Sequence, residues 1–256
     1  MDLALRQTVE EIRDILIAAK SHYGGDETRR LEEAFVRTVR RQPLRSPHRL
    51  QRPDLFIPEL RTIPWIEPEE LAAAAILADH FEEIRAEVMA LVDSEGAFHV
   101  YDDGVEDGQT DWNALGLKVG GGVVERGQRL CPKTLEVIEQ LPRVGEVAMV
   151  SALAAGGHIE PHCGPTNLRV NLHFGVNIPP GDCGLRVGGE ARKWTEGECL
   201  VFDDSFEHEA WNFSDRTRHV LLINFWHPDL SDAEVEVLNR VNRVVAPRYS
   251  RFFEHN

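Results

Sequence analysis

Of the eleven histidines in the 256-residue sequence, six sit where a β-scaffold could converge them from distant strands: His158, His162, His173, His208, His219 and His227. Neutral imidazole is the commonest protein ligand for metals such as iron. Two arrangements compete. In the first, His158-Ile159-Glu160 puts an imidazole and a carboxylate on one face of a strand, and His208 completes the two-His, one-carboxylate set that suits Fe(II). In the second, His162 pairs with His208, and the residue two positions after His162 is Gly164, so no carboxylate reaches the metal and one more coordination position is open. Spacing alone favours the first, and composition does not choose.

The elements that must position these residues can be read from periodicity. Leu5, Val9, Ile12 and Leu16 recur at helical spacing, as do Leu31, Phe35, Val36 and Val39 after the Gly24-Gly25 break. Residues 42–58 carry Pro43, Pro47, Pro53 and Pro58 with Arg45, Arg49 and Arg52, which reads as an extended connector. The expected division is therefore a helical extension with its Pro/Arg-rich connector over residues 1–55, followed by one domain over 56–256. A helix is expected over 67–92, opened by Pro68 with Glu69 and Glu70 in its first turn. Beyond residue 97 the pattern becomes antiparallel β, with runs at 98–101, 146–153, 168–178, 198–202 and 219–226. Along 168–178, Leu168, Val170, Leu172, Phe174, Val176 and Ile178 alternate with Arg169, Asn171, His173, Gly175 and Asn177, so one face packs and the other lines a barrel or sandwich mouth. Helices are expected again at 133–140 and, capped by Ser231, through 244.

Composition narrows the function classes. With 28 basic and 43 acidic residues the net charge is −15, which repels nucleic acid and anionic membrane; an anionic ligand must find its own arginine. No apolar run is long enough to span a bilayer, and the N-terminus lacks a signal-peptide core. Cys131, Cys163, Cys183 and Cys199 form no Cys-x-x-Cys pair, and reduced thiols in a cytoplasm are expected.

Four strings in order carry more information than the spacing: PHCGPTN at 161–167, FDDSFEHEAWN at 202–212, the arginine of RTRHV at Arg218, and FWHPDL at 225–230. Together they resemble the aspartyl/asparaginyl β-hydroxylase family of Fe(II)/2-oxoglutarate oxygenases, over about residues 111–230. The resemblance implies a mainly β fold with flanking α, a double-stranded β-helix (jelly roll, cupin-like), behind the N-terminal helical extension. It implies that iron is held by His162 and His208 alone, with Gly164 at the open carboxylate position, and that His158 and Glu160 are wall residues. Asp203, Asp204, Glu207 and Glu209 are then acids that could orient or compensate the imidazoles. For 2-oxoglutarate it implies Arg218 as the carboxylate anchor, assisted by Ser151, with His173 near the keto-acid end and Trp112 of TDWN as a wall. Arg169 and Asn171 are implied to face the substrate. Members acting on aspartyl residues carry two arginines on this strand, and here Asn171 replaces the second; Cys163 stands where threonine is usual.

The implied reaction consumes Fe(II)-bound 2-oxoglutarate and O2 and hydroxylates an unactivated carbon, first of all the β-carbon of an Asp/Asn-like amino-acid, peptidyl or carrier-bound residue. Three alternatives stand beside it. They are a two-His halogenase that admits chloride at the open position, a hydroxylase of acyl or lipid chains, and a non-catalytic cupin-like binding protein. No nucleic-acid partner and no membrane span are expected, and the N-terminal helices either cover the jelly roll or make a homodimer contact.

Overall fold

The computed structural model describes residues 3–92, 96–100 and 111–249. Helix α1 (Leu3–Tyr23) and helix α2 (Arg29–Val39) come first, then the connector and the two-residue strand β1 (Trp65–Ile66). The helix expected over 67–92 is interrupted. A 3-10 turn at Pro68–Glu70 is followed by α3 (Ala72–Asp79) and α4 (Phe81–Val92). His80 makes the break, because its N–H bonds the carbonyl of Leu77 in a tightened last turn, and the bend brings Phe81 edge-on to Phe174 at 5.9 Å.

Next come β2 (His99–Val100), β3 (Trp112–Val119), β4 (Gly122–Val123), α5 (Glu125–Leu130) and α6 (Pro132–Gln140). Tyr101, the last residue of the run expected at 98–101, lies outside the described residues. Glu87 of α4 closes the start of α6 by accepting the N–H groups of Lys133 and Thr134 at 2.9 and 2.8 Å.

Strands β5 (Val144–Leu153), β6 (His158–His162), β7 (Arg169–Asn177), β8 (Cys183–Val187), β9 (Glu190–Arg192), β10 (Cys199–Phe202), β11 (His208–Asn212) and β12 (Arg218–Trp226) complete two antiparallel sheets. The large sheet runs β1-β10-β7-β12-β5-β3-β2, with β4 paired to β3; the small sheet runs β6-β11-β8-β9. Two facing antiparallel sheets with helices outside are the expected jelly roll.

Alternation decides which side chains face each layer. Val170, Leu172, Phe174 and Val176 of β7, with Leu221, Ile223 and Phe225 of β12, pack under Ala73, Leu77, Ile84 and Val88 of α3 and α4 and Ile138 of α6. The other face of the large sheet looks into the space between the sheets, where Leu153, Val220 and Phe202 meet Ile159, Leu185, Val187 and Ala210. The polar row Asn171 and His173 is therefore buried inside the sandwich rather than wetted at its surface.

The final helix α7 (Asp232–Tyr249) starts with a capping box, in which Ser231 Oγ accepts the Glu234 N–H and the Glu234 carboxylate accepts the Ser231 N–H. Such a cap is worth about 1 kcal/mol. Leu16, Ala19, Leu31 and Ala34 of α1 and α2 pack with Trp226, Leu230, Val235 and Leu238 around α7, and Arg30 forks onto Glu234 at 2.6 and 2.7 Å. Part of the apolar face of the N-terminal helices is thus buried against α7. The four cysteines are free, and no helix among the described residues is long and apolar enough to cross a membrane.

Candidate functional site

Regular alternation along β6 would send His158, Glu160 and His162 to the same face, and the structure breaks that rule. The β6/β11 pairing shifts register, with His208 opposite His162 but Ala210 opposite Ile159, so β6 carries one extra residue. This bulge turns His162 inward while His158 and Glu160 stay on the outer face. There His158 bonds the Glu209 carboxylate through Nε2 at 2.9 Å, with Glu160 at 3.2 Å from Nδ1. The first arrangement read from spacing is therefore split between two faces.

The second is brought together. The His162 and His208 rings lie 4.1 Å apart between centroids. His162 Nδ1 faces the Glu160 carbonyl at 2.7 Å and His208 Nδ1 faces the Phe206 carbonyl at 2.9 Å. A carbonyl only accepts, so both Nδ1 atoms carry the proton and both Nε2 lone pairs are left for a metal. Burial and the neighbouring His162 push His208 down to about 3, which keeps it neutral. Among the described residues no third His, Cys, Asp or Glu joins them in a metal-sized cluster.

Gly164 is small for a specific reason. A Cβ there would stand 2.6–2.8 Å from the Asp204 carboxylate, and the Gly164 N–H donates to the Asp204 carbonyl at 2.7 Å. Asp204 is buried, and one of its oxygens, Oδ1, has no hydrogen-bond partner among the described residues. Burial raises its pKa, against the lowering influence of Arg169 and His162. Asp203 beside it is wholly buried and serves the turn, accepting from Ser205 and from Gln51 of the connector. Arg52 of the same connector meets Glu207 at 2.6 Å.

Deeper in the sandwich, Arg218 is 1% exposed, and no carboxylate pairs with it among the described residues. Its Nη1 reaches the Ser151 carbonyl and Oγ at 3.3 and 3.2 Å, and its Nε has no partner. Burial lowers it to about 10. A charge held this way costs several kcal/mol unless an anion accompanies it. Ser151 Oγ also accepts from Trp112 Nε1 at 2.9 Å, so with two donors against it the hydroxyl hydrogen is aimed elsewhere.

His173 is buried with Nδ1 unpartnered, held well below the usual imidazole range by burial and by Arg218. Trp194 stacks on His173 at 6.0 Å, lies under the Arg218 guanidinium at 4.7 Å, and has an orphaned Nε1. Two buried donors, Arg218 Nε and Trp194 Nε1, thus lack acceptors beside His173, which fits a bound carboxylate. Sequence reasoning missed Trp194. Its signal was Gly175, whose Cβ would sit 2.1 Å from the Thr195 carbonyl; an isolated glycine inside a strand marks such an approach.

Arg169 and Asn171 lie on this inner row, each already engaged. Arg169 forms an ion pair with Glu146 of β5. Asn171 donates to Asp204 Oδ2 at 3.1 Å and accepts from Asn224 of β12. Neither Glu146 nor Asn224 was anticipated. His219 and His227 are structural: His219 bonds Asn177, and His227 accepts the Asp229 N–H.

The family model for aspartyl/asparaginyl beta-hydroxylase matches residues 78–228. The human protein named aspartyl/asparaginyl beta-hydroxylase is 34% identical over 181 residues, covering 67% of this chain and 24% of the human one. The ornithine lipid ester-linked acyl 2-hydroxylase of Rhizobium tropici is 33% identical over 179 residues, covering 67% of this chain and 60% of that protein. The chain thus spans only part of the length of these relatives. Among solved structures, a Pseudomonas putida prolyl-4-hydroxylase aligns with a TM-score of 0.41 and 20% identity, over 60% of this chain and 98% of that one.

Proposed function

The chain belongs to the aspartyl/asparaginyl β-hydroxylase family, and from that membership we propose that it is an Fe(II)- and 2-oxoglutarate-dependent dioxygenase. Its target is an unactivated carbon, the first candidate being the β-carbon of an Asp/Asn-like amino-acid, peptidyl or carrier-bound residue. An acyl chain is the second candidate, because the rhizobial relative is named for acyl 2-hydroxylation.

The observation that carries the reading is the buried Arg218, which has no counter-ion among the described residues and shares the sandwich interior with the His162/His208 pair. When bound, iron with 2-oxoglutarate and O2 would supply the oxidising chemistry. The protein's part is to hold and shield. His162 and His208 would present Nε2 to the metal. Arg218 and the Ser151 hydroxyl would take the distal carboxylate of 2-oxoglutarate, and His173 would stand near its other end. Trp112 fixes the Ser151 hydroxyl, and Phe202, between His173 and His208 at 5.0 and 5.6 Å, keeps water from the wall. The Asp204 carboxyl group against Gly164 occupies the space beside the open position, which favours hydroxylation over a halide-admitting site. A binding protein without catalysis has no need of a paired metal site and a separate anion anchor.

The test is Arg218→Ala. Removing one partner of a buried charged contact costs about 2–5 kcal/mol, so 2-oxoglutarate affinity measured by calorimetry on the Mn(II)-loaded protein should fall roughly 30-fold to several thousandfold. Unchanged affinity would remove the anchor and with it this reading.

A further inference from the structure

The substrate side of the polar row carries a charge pattern that Arg169 alone does not suggest. Arg169 and its partner Glu146 are both largely buried, with side chains 15% and 20% exposed, so the pair is held rather than loosely associated. The pairing depends on a register shift between β5 and β12, where Ile223 faces Ala148 but Phe225 faces Val144, leaving Glu146 in the irregular stretch. Two residues further along β7, on the same face, Asn171 is fixed between Asn224 and Asp204, with its carbonyl oxygen and one amide hydrogen engaged. Asp204 Oδ1 is a buried acceptor with no donor. One cation therefore stands near two carboxyl groups, and the row ends in Asn171, with one amide hydrogen outside these bonds, and an Asp204 oxygen that no donor among the described residues reaches.

We propose that this row reads an uncharged hydrogen-bonding group of the substrate, a carboxamide or a peptide- or ester-linked carbonyl, and rejects a free carboxylate, with Glu146 setting that preference by neutralising Arg169. The inference rests on the dioxygenase reading above and specifies its substrate. A carboxylate placed here would find no unpaired cation and would face Asp204 and Glu146 across a poorly solvated space, whereas a carboxamide offers an acceptor to Asn171 and a donor to Asp204. Glu146 acts through Arg169 and is a positioning residue.

The experiment uses the full chain loaded with Mn(II) and N-oxalylglycine, so that no turnover occurs. The probes are N-acetyl-L-asparagine amide and N-acetyl-L-aspartate amide, which differ only in side-chain charge, and binding is followed by calorimetry. The wild type should bind the asparagine probe at least about tenfold tighter, the scale of a buried polar group left unpaired. Glu146→Gln, which frees the Arg169 charge, should close or reverse that gap, and Glu146→Asp, which keeps the charge, should retain it. A wild type that prefers the aspartate probe, binds both equally or binds neither overturns the proposal, as does a Glu146→Gln variant with unchanged preference. Failure of the wild type to bind Mn(II) with N-oxalylglycine is a different result, and it overturns the dioxygenase reading instead.

Discussion

His162 reaches the interior because β6 holds one residue more than β11 needs, and Glu160 stays outside for the same reason. The ligand sets distinguished by this bulge respond differently to substitution. His162→Ala and His208→Ala should each weaken Fe(II) or Mn(II) binding by more than about 100-fold, beyond the roughly 10–100-fold that an outer partner costs. Glu160→Ala removes a side chain that is 63% exposed and, among the described residues, paired with His158 alone, and should leave metal affinity within about threefold. Metal titration followed by electron paramagnetic resonance of Mn(II) checks both, and loss of metal in Glu160→Ala would return the H-x-E set to the site.

At the scale of elements, β7 is the piece on which the site is built. Its outer residues lock it under α4, where Phe174 meets Phe81, and its inner residues meet β10, β12 and the turn that carries Trp194. Gly175 lets that turn approach. Gly175→Ala would drive a methyl group into the Thr195 carbonyl and push Trp194 from His173 and Arg218. Overpacking of this kind costs about 1–3 kcal/mol, so the melting temperature should drop by roughly 2–12 °C, together with weaker binding of N-oxalylglycine. A variant that melts like the wild type and binds the ligand as tightly would show that the turn tolerates the displacement.

For the molecule as a whole, the connector and the turn that leads to His208 are joined through Asp203, and that joint makes stability depend on pH. Burial, reinforced by Asp204, raises the Asp203 carboxyl to about 7, from an ordinary value of 3.8, despite hydrogen bonds from Ser205 and Gln51. The folded protein then holds a proton that the unfolded chain has released. Its contribution is fully present below pH 3.8 and is lost as pH rises toward about 7, with a slope of up to about 1.4 kcal/mol per pH unit. Asp203→Asn keeps an acceptor for Ser205 and cannot ionise. Urea unfolding between pH 4.5 and 7.5 should therefore show a flatter stability profile in the variant, and parallel profiles would refute the assignment.

Much of this was legible in the sequence because it depends on local order. Period-2 alternation marked β7 and its polar row, Ser231 with Glu234 marked the start of α7, and the strings around His162, His208 and Arg218 carried the family resemblance without any coordinates. The break at His80 and strand β3 were not legible, since the first depends on Phe81 meeting Phe174 and the second lacks a clean alternation. Tertiary structure alone decided the rest. Periodicity cannot reveal a bulge that needs a partner strand to define it, so the face taken by His162 was open until β6 met β11. Nor could the strand sequence show that Arg169 is neutralised, because Glu146 lies 23 positions away and meets it only across β12, in the low-dielectric interior where a paired and an unpaired charge differ most in energy.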